Sequence, residues 1–276
     1  MTPTPAARPP DPSTGPGEAL GRLPPVLRDA AAVVFDTDGV ITDSARVHAA
    51  AWQTAFDACL RDHPPPDPGA RRPFDPREDY RRHVDGKARL DGAAAFLASR
   101  GLHLPPGTPS DEPGTGTVHA VAALKEREFT RRLREHGAAA YPGTLRLLDV
   151  LAAHRVPSAA ISASRHAREL LSAAGVLDRF AVLVDGNEAA RLGLPGKPHP
   201  ALFLEAARHL GTPAERTAVV EDALAGVQAG RHGGFAPVIG VDRIQGPTSS
   251  EDLRKHGADI VVGDLGDLLT RTAPGG

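Results

Sequence analysis

Ala31-Ala32-Val33-Val34-Phe35-Asp36-Thr37-Asp38-Gly39 is an apolar run that stops abruptly at two aspartates and a glycine. A short continuous apolar segment fits a strand buried on both faces, and its polar end fits a loop at the strand's carboxyl edge. Two carboxylates two positions apart repel each other unless a cation or a shared proton intervenes. Gly39 lets the backbone turn tightly beside them. The stretch reads as a buried strand that delivers an acidic pair to a functional loop.

The same grammar recurs later in the chain. Pro157–Ile161 ends at Ser162, Ala181–Val184 at Asp185-Gly186, Thr217–Val220 at Glu221-Asp222, Pro237–Val241 at Asp242, and Ile260–Val262 at Gly263-Asp264. Helical stripes lie between these runs: Leu145, Leu148, Leu151 and Ala152 over 143–154, and Leu202, Phe203, Ala206 and Leu210 over 200–210. Strands alternating with helices predict a parallel sheet with its ligands outside the carboxyl ends of the strands. The expected fold class is α/β, a Rossmann-like doubly wound parallel-sheet core with an inserted all-helical cap.

The insert is the stretch between the first strand and the rest. Trp52, Ala55, Phe56, Cys59 and Leu60 repeat at helical spacing, as do Val121, Leu124 and, further on, Leu133. Two Pro/Gly-rich excursions, His63–Pro76 and Leu104–Thr117, interrupt it and read as surface loops. The expected organisation is a disordered Pro/Gly-rich tail at 1–28, a core at 29–43 and 141–276, and a helical cap at 44–140. Gly15-Pro16-Gly17 lies in the tail and follows no strand, so it is no dinucleotide loop.

Composition bounds the function. With 32 basic and 34 acidic residues among 276, the formal charge is −2, which supplies no global field for a nucleic acid or an anionic membrane. Cys59 is the sole cysteine, which excludes an internal disulfide and any multi-cysteine metal site. No apolar stretch reaches a membrane span, and the N-terminus lacks a secretory plan, so the expectation is a soluble cytoplasmic protein.

Glu221-Asp222 is a second acidic pair at a strand end. Taken singly, each pair is ordinary for a solvated loop or a helix N-cap. If the two strands both lie centrally in the sheet, Asp36, Asp38 and Asp222, with Glu221 beside them, converge on an oxygen-rich pocket suited to Mg²⁺. Ser162, with Ser164 and a following helix, offers a hydroxyl and free N–H groups to a phosphate. Lys197, in Gly196-Lys197-Pro198, is one of four lysines; it lacks P-loop spacing, and by itself reads best as a surface charge.

The ordered series resembles the haloacid dehalogenase superfamily of phosphoryl-transfer enzymes, in its β-phosphoglucomutase branch. Phe35 to Ser44 is similar to the first motif, Ser162-Ala163-Ser164 to the second, Gly196-Lys197-Pro198-His199-Pro200 to the third, and Val220 to Gly230 to the fourth. Thr37 stands where an apolar residue is usual, and Ala223 where serine is common. The resemblance implies that Asp36 is the nucleophile and Asp38 the general acid and base. It implies Mg²⁺ held by Asp36, the backbone carbonyl of Asp38 and Asp222, with Glu221 close by. Ser162, Ala163 and Lys197 would meet the transferring phosphoryl group. In the cap, Arg89 would grip a distal phosphate, Gly86 would allow close backbone approach, and His48 with Lys125 would set Asp38. Ser44 falls in the hinge, and Arg165 and His166 follow the second motif as further phosphate candidates.

The implied reaction interconverts β-glucose 1-phosphate and glucose 6-phosphate through the 1,6-bisphosphate. The alternatives are a sugar-phosphate phosphatase with the same nucleophile and a non-catalytic phosphate-binding module. The expected partner is a small-molecule sugar phosphate, with no nucleic acid and no membrane.

Overall fold

The computed structural model describes residues 22–270, apart from Pro247. The first strand, β1 (Ala32–Asp36), leads into three helices, α1 (Ala45–Asp62), α2 (Arg89–Ser99) and α3 (Val118–His136). Next come α4 (Pro142–Ala153), β2 (Ser158–Ile161), α5 (Ala167–Ala173), β3 (Val182–Val184), α6 (Gly186–Leu192) and α7 (Ala201–Leu210). The chain closes with β4 (Thr217–Glu221), α8 (Leu224–His232), β5 (Val238–Val241), α9 (Ser249–Lys255), β6 (Ile260–Val262) and α10 (Asp267–Thr270).

The six strands are all parallel, in the order β3-β2-β1-β4-β5-β6. Phe35 pairs with Ala160 on one side and Val220 on the other, so β1 and β4 are central neighbours. The connections reverse direction between these two strands, which opens a crevice at their carboxyl ends. Successive β1 residues face opposite layers. Val33 and Phe35 pack with Leu147, Leu151, Leu171 and Leu268, whereas Val34 packs with Phe203, Val227 and Leu253. Two apolar faces, each covered by helices, make the sheet doubly wound.

The insert has a separate interior. Trp52, Phe56, Phe74, Phe96, Val121 and Leu124 form their own apolar cluster, with Phe56 and Phe96 ring centroids 4.1 Å apart. Phe74 corrects the reading of His63–Pro76 as a purely surface excursion. Its ring is 1 % exposed, because the loop folds back to fill the space between α1 and α2. A single π-helical turn, Tyr80–Val84, precedes α2. Asp79, just before that turn, is buried and fixed by Arg100 at 2.6 Å and Arg72 at 2.7 Å.

The two connections between insert and sheet run side by side. Thr42 and Ala140 form an antiparallel bridge, flanked by Asp43 N–H to Ala139 O at 2.9 Å and Tyr141 N–H to Ile41 O at 3.0 Å.

The tail expected at 1–28 falls mostly outside the described residues, but its last part is ordered. Pro25–Leu27 form a 3-10 turn and Leu27 is fully buried in the layer around Phe35. One leucine with an apolar slot to fill is enough to anchor a segment whose composition is otherwise polar and proline-rich.

Candidate active site

Asp36 is the last residue of β1, where the sheet's hydrogen bonding stops and the side chain enters the crevice. Its carboxylate accepts the N–H of Asp38 at 3.0 Å and the Lys197 ammonium at 2.5 Å. Lys197 also pairs with Glu221, whose second oxygen accepts the N–H of Ala223 at 2.7 Å. The lysine side chain is completely buried, which corrects its reading as a surface charge: the loop before α7 turns it inward beneath Phe203. Burial opposes its charge, but Asp36 and Glu221 outweigh that and hold its pKa above the ordinary lysine value. Burial pushes the Asp36 carboxyl well up, with Lys197 opposing and Glu221 and Asp38 adding to the rise.

Asp38 has a different environment. Ser44 donates its hydroxyl to one carboxylate oxygen, and the His48 Nε2 lies 3.3 Å from the same oxygen. Ser162 reaches the other oxygen at 3.4 Å. Burial opposes ionisation here too, but His48, Ser44 and Lys125 together keep Asp38 below the usual carboxylate range. His48 stacks on Phe129 at 4.1 Å, and burial with Lys125 nearby favours its neutral form. Lys125 is buried as well, 4.5 Å over the Phe129 ring, and burial brings its pKa down to about 8. Thr37, the departure from an apolar residue, turns its hydroxyl to the carbonyl of Ile161 at 2.8 Å and ties the loop to β2.

Oxygens of Asp36, Glu221 and Asp222 lie within 4.8 Å of one another. The donor set is all oxygen, which suits a small hard divalent cation. Burial, then Asp85, Glu221 and Asp36, raise the Asp222 carboxyl well above its ordinary value, so a second negative charge there is costly without a cation beside it. Gly39, at φ +83°, makes room for it: a Cβ there would stand 1.8 Å from Asp222 Oδ2. These residues fit a divalent cation. The Asp38 carboxylate is turned toward Ser44 and His48 and stands outside that cluster, and both Glu221 oxygens already have partners.

The insert closes over this centre. Asp36, Asp38, His48, Gly86, Arg89, Lys125, Ala163, Arg165, Lys197 and Asp222 line one cleft of about 300 Å³. Gly86, at φ +70°, sits against Ala223, where a Cβ would meet the alanine methyl at 3.0 Å. Ser162 lies under the cleft, fully buried, and accepts the N–H of Ser164 at 3.0 Å. Arg89 lines the cleft but its guanidinium is paired with Glu126 at 2.5 Å.

The profile of haloacid dehalogenase-like hydrolases matches residues 30–234. The chain belongs to the haloacid dehalogenase-like hydrolase family. A β-phosphoglucomutase of Mycobacterium bovis is 42 % identical over 239 residues, covering 86 % of this chain and 91 % of that protein. An uncharacterised glycosyl hydrolase of Mycobacterium tuberculosis is 37 % identical over 274 residues, 95 % of this chain but 19 % of that protein. A family hydrolase from Deinococcus radiodurans, solved with bound phosphate and sodium, superposes with a TM-score of 0.59. It is 28 % identical and covers 88 % of this chain and 99 % of its own. This member of the family is an enzyme of the β-phosphoglucomutase-like group, mutase or phosphatase, acting in sugar-phosphate phosphotransfer.

Two cleft residues escape sequence reasoning. Asp85 ends the π-helical turn, and burial with Glu221 nearby pushes its carboxyl up to about 7. Tyr80 starts the same turn, and burial raises its phenol. No local pattern marks either of them; only the folding of the insert brings them to the acidic centre.

Proposed function

We propose that the protein is a Mg²⁺-dependent β-phosphoglucomutase, interconverting β-glucose 1-phosphate and glucose 6-phosphate through β-glucose 1,6-bisphosphate. The observation that carries this reading is the unlike treatment of two aspartates in one cleft. Asp36 is clamped by Lys197 beside Asp222, while Asp38 is held by Ser44 and His48. The name of the 42 % identical mycobacterial relative supports the substrate.

In this reading Asp36 attacks phosphorus in line and forms an aspartyl-phosphate, which divides one difficult transfer into two. Asp38 gives a proton to the departing sugar oxygen and later takes one from the attacking hydroxyl. Asp36, Asp222 and the backbone carbonyl of Asp38 would hold Mg²⁺, which when bound would supply positive charge to the phosphoryl oxygens. Lys197 and Ser162, with the backbone at Ala163, receive the remaining oxygens. His48 and Lys125 stand behind Asp38 and bias its protonation. Residues 44–140 act as a cap domain over a core of 29–43 and 141–276, with Ser44 in the hinge. Arg89 takes the distal phosphate, so the bisphosphate can present either end to Asp38 and Asp36. Gly86 lets the cap approach, and Arg165 contacts the sugar phosphate from the core side.

The test is to incubate the protein with Mg²⁺, β-glucose 1-phosphate and a trace of the bisphosphate, following glucose 6-phosphate and inorganic phosphate together. Glucose 6-phosphate as the main product is expected. Inorganic phosphate at a comparable rate would establish the second reading, a sugar-phosphate phosphatase, which the pairing of Arg89 with Glu126 favours.

A further inference from the structure

Glu126, in α3, sets its carboxylate among Arg89, Lys125 and the imidazole of His166. Arg89 Nη1 and His166 Nε2 each lie at 2.5 Å, and the Lys125 ammonium stands further out at 3.9 Å. Arg89 and Lys125 belong to the insert, whereas His166 belongs to the loop that leads from β2 into α5. Burial opposes ionisation of Glu126, but Lys125, Arg89 and His166 outweigh it and hold the carboxyl below its ordinary range. Two cations and a histidine donor converging from two parts of the molecule make a cradle for a dianion, and a carboxylate brings one charge and two oxygens. A phosphate brings up to two charges and three oxygens, and suits an arginine fork at least as well. Arg89 cannot give its fork fully to both. A groove lined by Thr130, Arg127 and Arg131, the last paired with Glu128 and Glu135, borders the cradle and gives a displaced side chain room to turn aside.

We propose that Glu126 is a built-in competitor. It occupies the cradle of Arg89, Lys125 and His166 and must be displaced by the second phosphate of a bisphosphorylated sugar, so it sets how strongly the protein prefers bisphosphate to monophosphate. This specificity role rests on the mutase reading and deepens it. A monophosphate with its phosphate at Asp36 leaves Glu126 in place, clasping insert to core through His166. A bisphosphate exchanges one anion for another, which limits its net gain in affinity.

Glu126→Gln keeps the shape and removes the charge. Affinities for β-glucose 1,6-bisphosphate and β-glucose 1-phosphate are measured by calorimetry without added divalent cation, so that binding is read apart from turnover. The bisphosphate should bind about tenfold tighter to Glu126→Gln, the low end of couplings between close charge pairs, and the preference over the monophosphate should widen. Glu126→Ala should move in the same direction. In an Arg89→Ala background the further Glu126→Gln change should shift bisphosphate affinity by less than about twofold, because the cradle's fork is already gone. Bisphosphate affinity that stays the same or weakens in both Glu126 variants, with melting temperatures like the parent's, overturns the proposal. A failed product assay would sink the mutase reading while leaving this binding comparison readable, so the two failures can be told apart.

Discussion

Asp36 and Asp38 stand two positions apart and live in opposite electrostatic surroundings, and the roles proposed for them rest on that contrast. Asp36→Asn should retain the fold, since an amide still fits beside Lys197. It should lower turnover by at least about 10⁴-fold, as loss of a catalytic-site group acting in concert with others does; a milder loss in the coupled glucose 6-phosphate assay would argue against attack by this residue. Asp85 permits a stability test. Its carboxyl is raised to about 7 from an ordinary value of 3.8, so the folded state holds a proton that the unfolded state gives up. Folding therefore loses stability as pH rises from about 4 through about 7. Asp85→Asn should melt higher than the parent above pH 7 in metal-free buffer, with the difference shrinking toward pH 4. A parallel pair of melting curves would remove Asp85 from the acidic centre. The contrast between Asp36 and Asp85 also shows what a sequence discloses about single residues. Asp36, Asp38, Glu221 and Asp222 stand at the ends of recognisable strands, so their convergence follows once the strands are placed side by side. Asp85 and Glu126 arrive on helices whose packing carries no short-range signature.

Among the elements, the strand boundaries were readable because an apolar run buried on both faces has to stop where its burial stops. β6 spans Ile260–Val262 as read from the chain, and β4 reaches one residue beyond its apolar run, to Glu221. The insert was harder. Its helices α1 and α3 show periodicity, but α2 is short and alanine-rich, and the π-helical turn before it is a local irregularity that periodicity does not detect. Phe74 was hidden for the same reason, since a proline-rich loop advertises exposure even where one ring is needed inside. The turn after β1 offers a test at this scale. Gly39→Ala would put a methyl onto Asp222 Oδ2 and hold a non-glycine residue at φ +83°. The expected cost is about 1–3 kcal/mol in unfolding free energy, together with Mg²⁺ affinity about tenfold weaker or worse, because the ligand that must move is Asp222. Chemical denaturation and Mg²⁺ titration read the two effects separately, and undiminished Mg²⁺ affinity would exclude Asp222 from the cation's ligands.

For the whole molecule, the apolar interiors of insert and sheet are separate, and ion pairs join the two parts. Arg81 in the π-helical turn reaches Asp252 in α9 at 2.8 Å, and Glu126 reaches His166. An ion pair as accessible as Arg81 with Asp252 contributes little to folding, about 1 kcal/mol at most. Its effect should appear in water access. Asp252→Ala should leave the melting temperature within a few degrees while raising the share of inorganic phosphate among the products severalfold. An unaltered product ratio would show that this contact does not govern closure. The doubly wound sheet and the position of its crevice were legible from alternation alone. The insert's nearness to the crevice follows from its place directly after β1, but the particular contacts that join them, such as Arg81 with Asp252, lie more than a hundred positions apart and carry no local signal.

The paired linkers at Thr42 and Ala140 have a mechanical consequence. Because they are laced together by backbone hydrogen bonds, neither can twist without the other, and a moving insert would swing on a ribbon rather than on two loose threads. Thr42 touches Ser44 at 3.0 Å, and Ser44 holds Asp38. Torsion of the ribbon would thus pull on Asp38, the aspartate proposed to handle the proton. In the proposed mechanism, lifting the insert would disarm that group as solvent arrives, so an open molecule would guard an aspartyl-phosphate against wasteful hydrolysis without any separate safeguard.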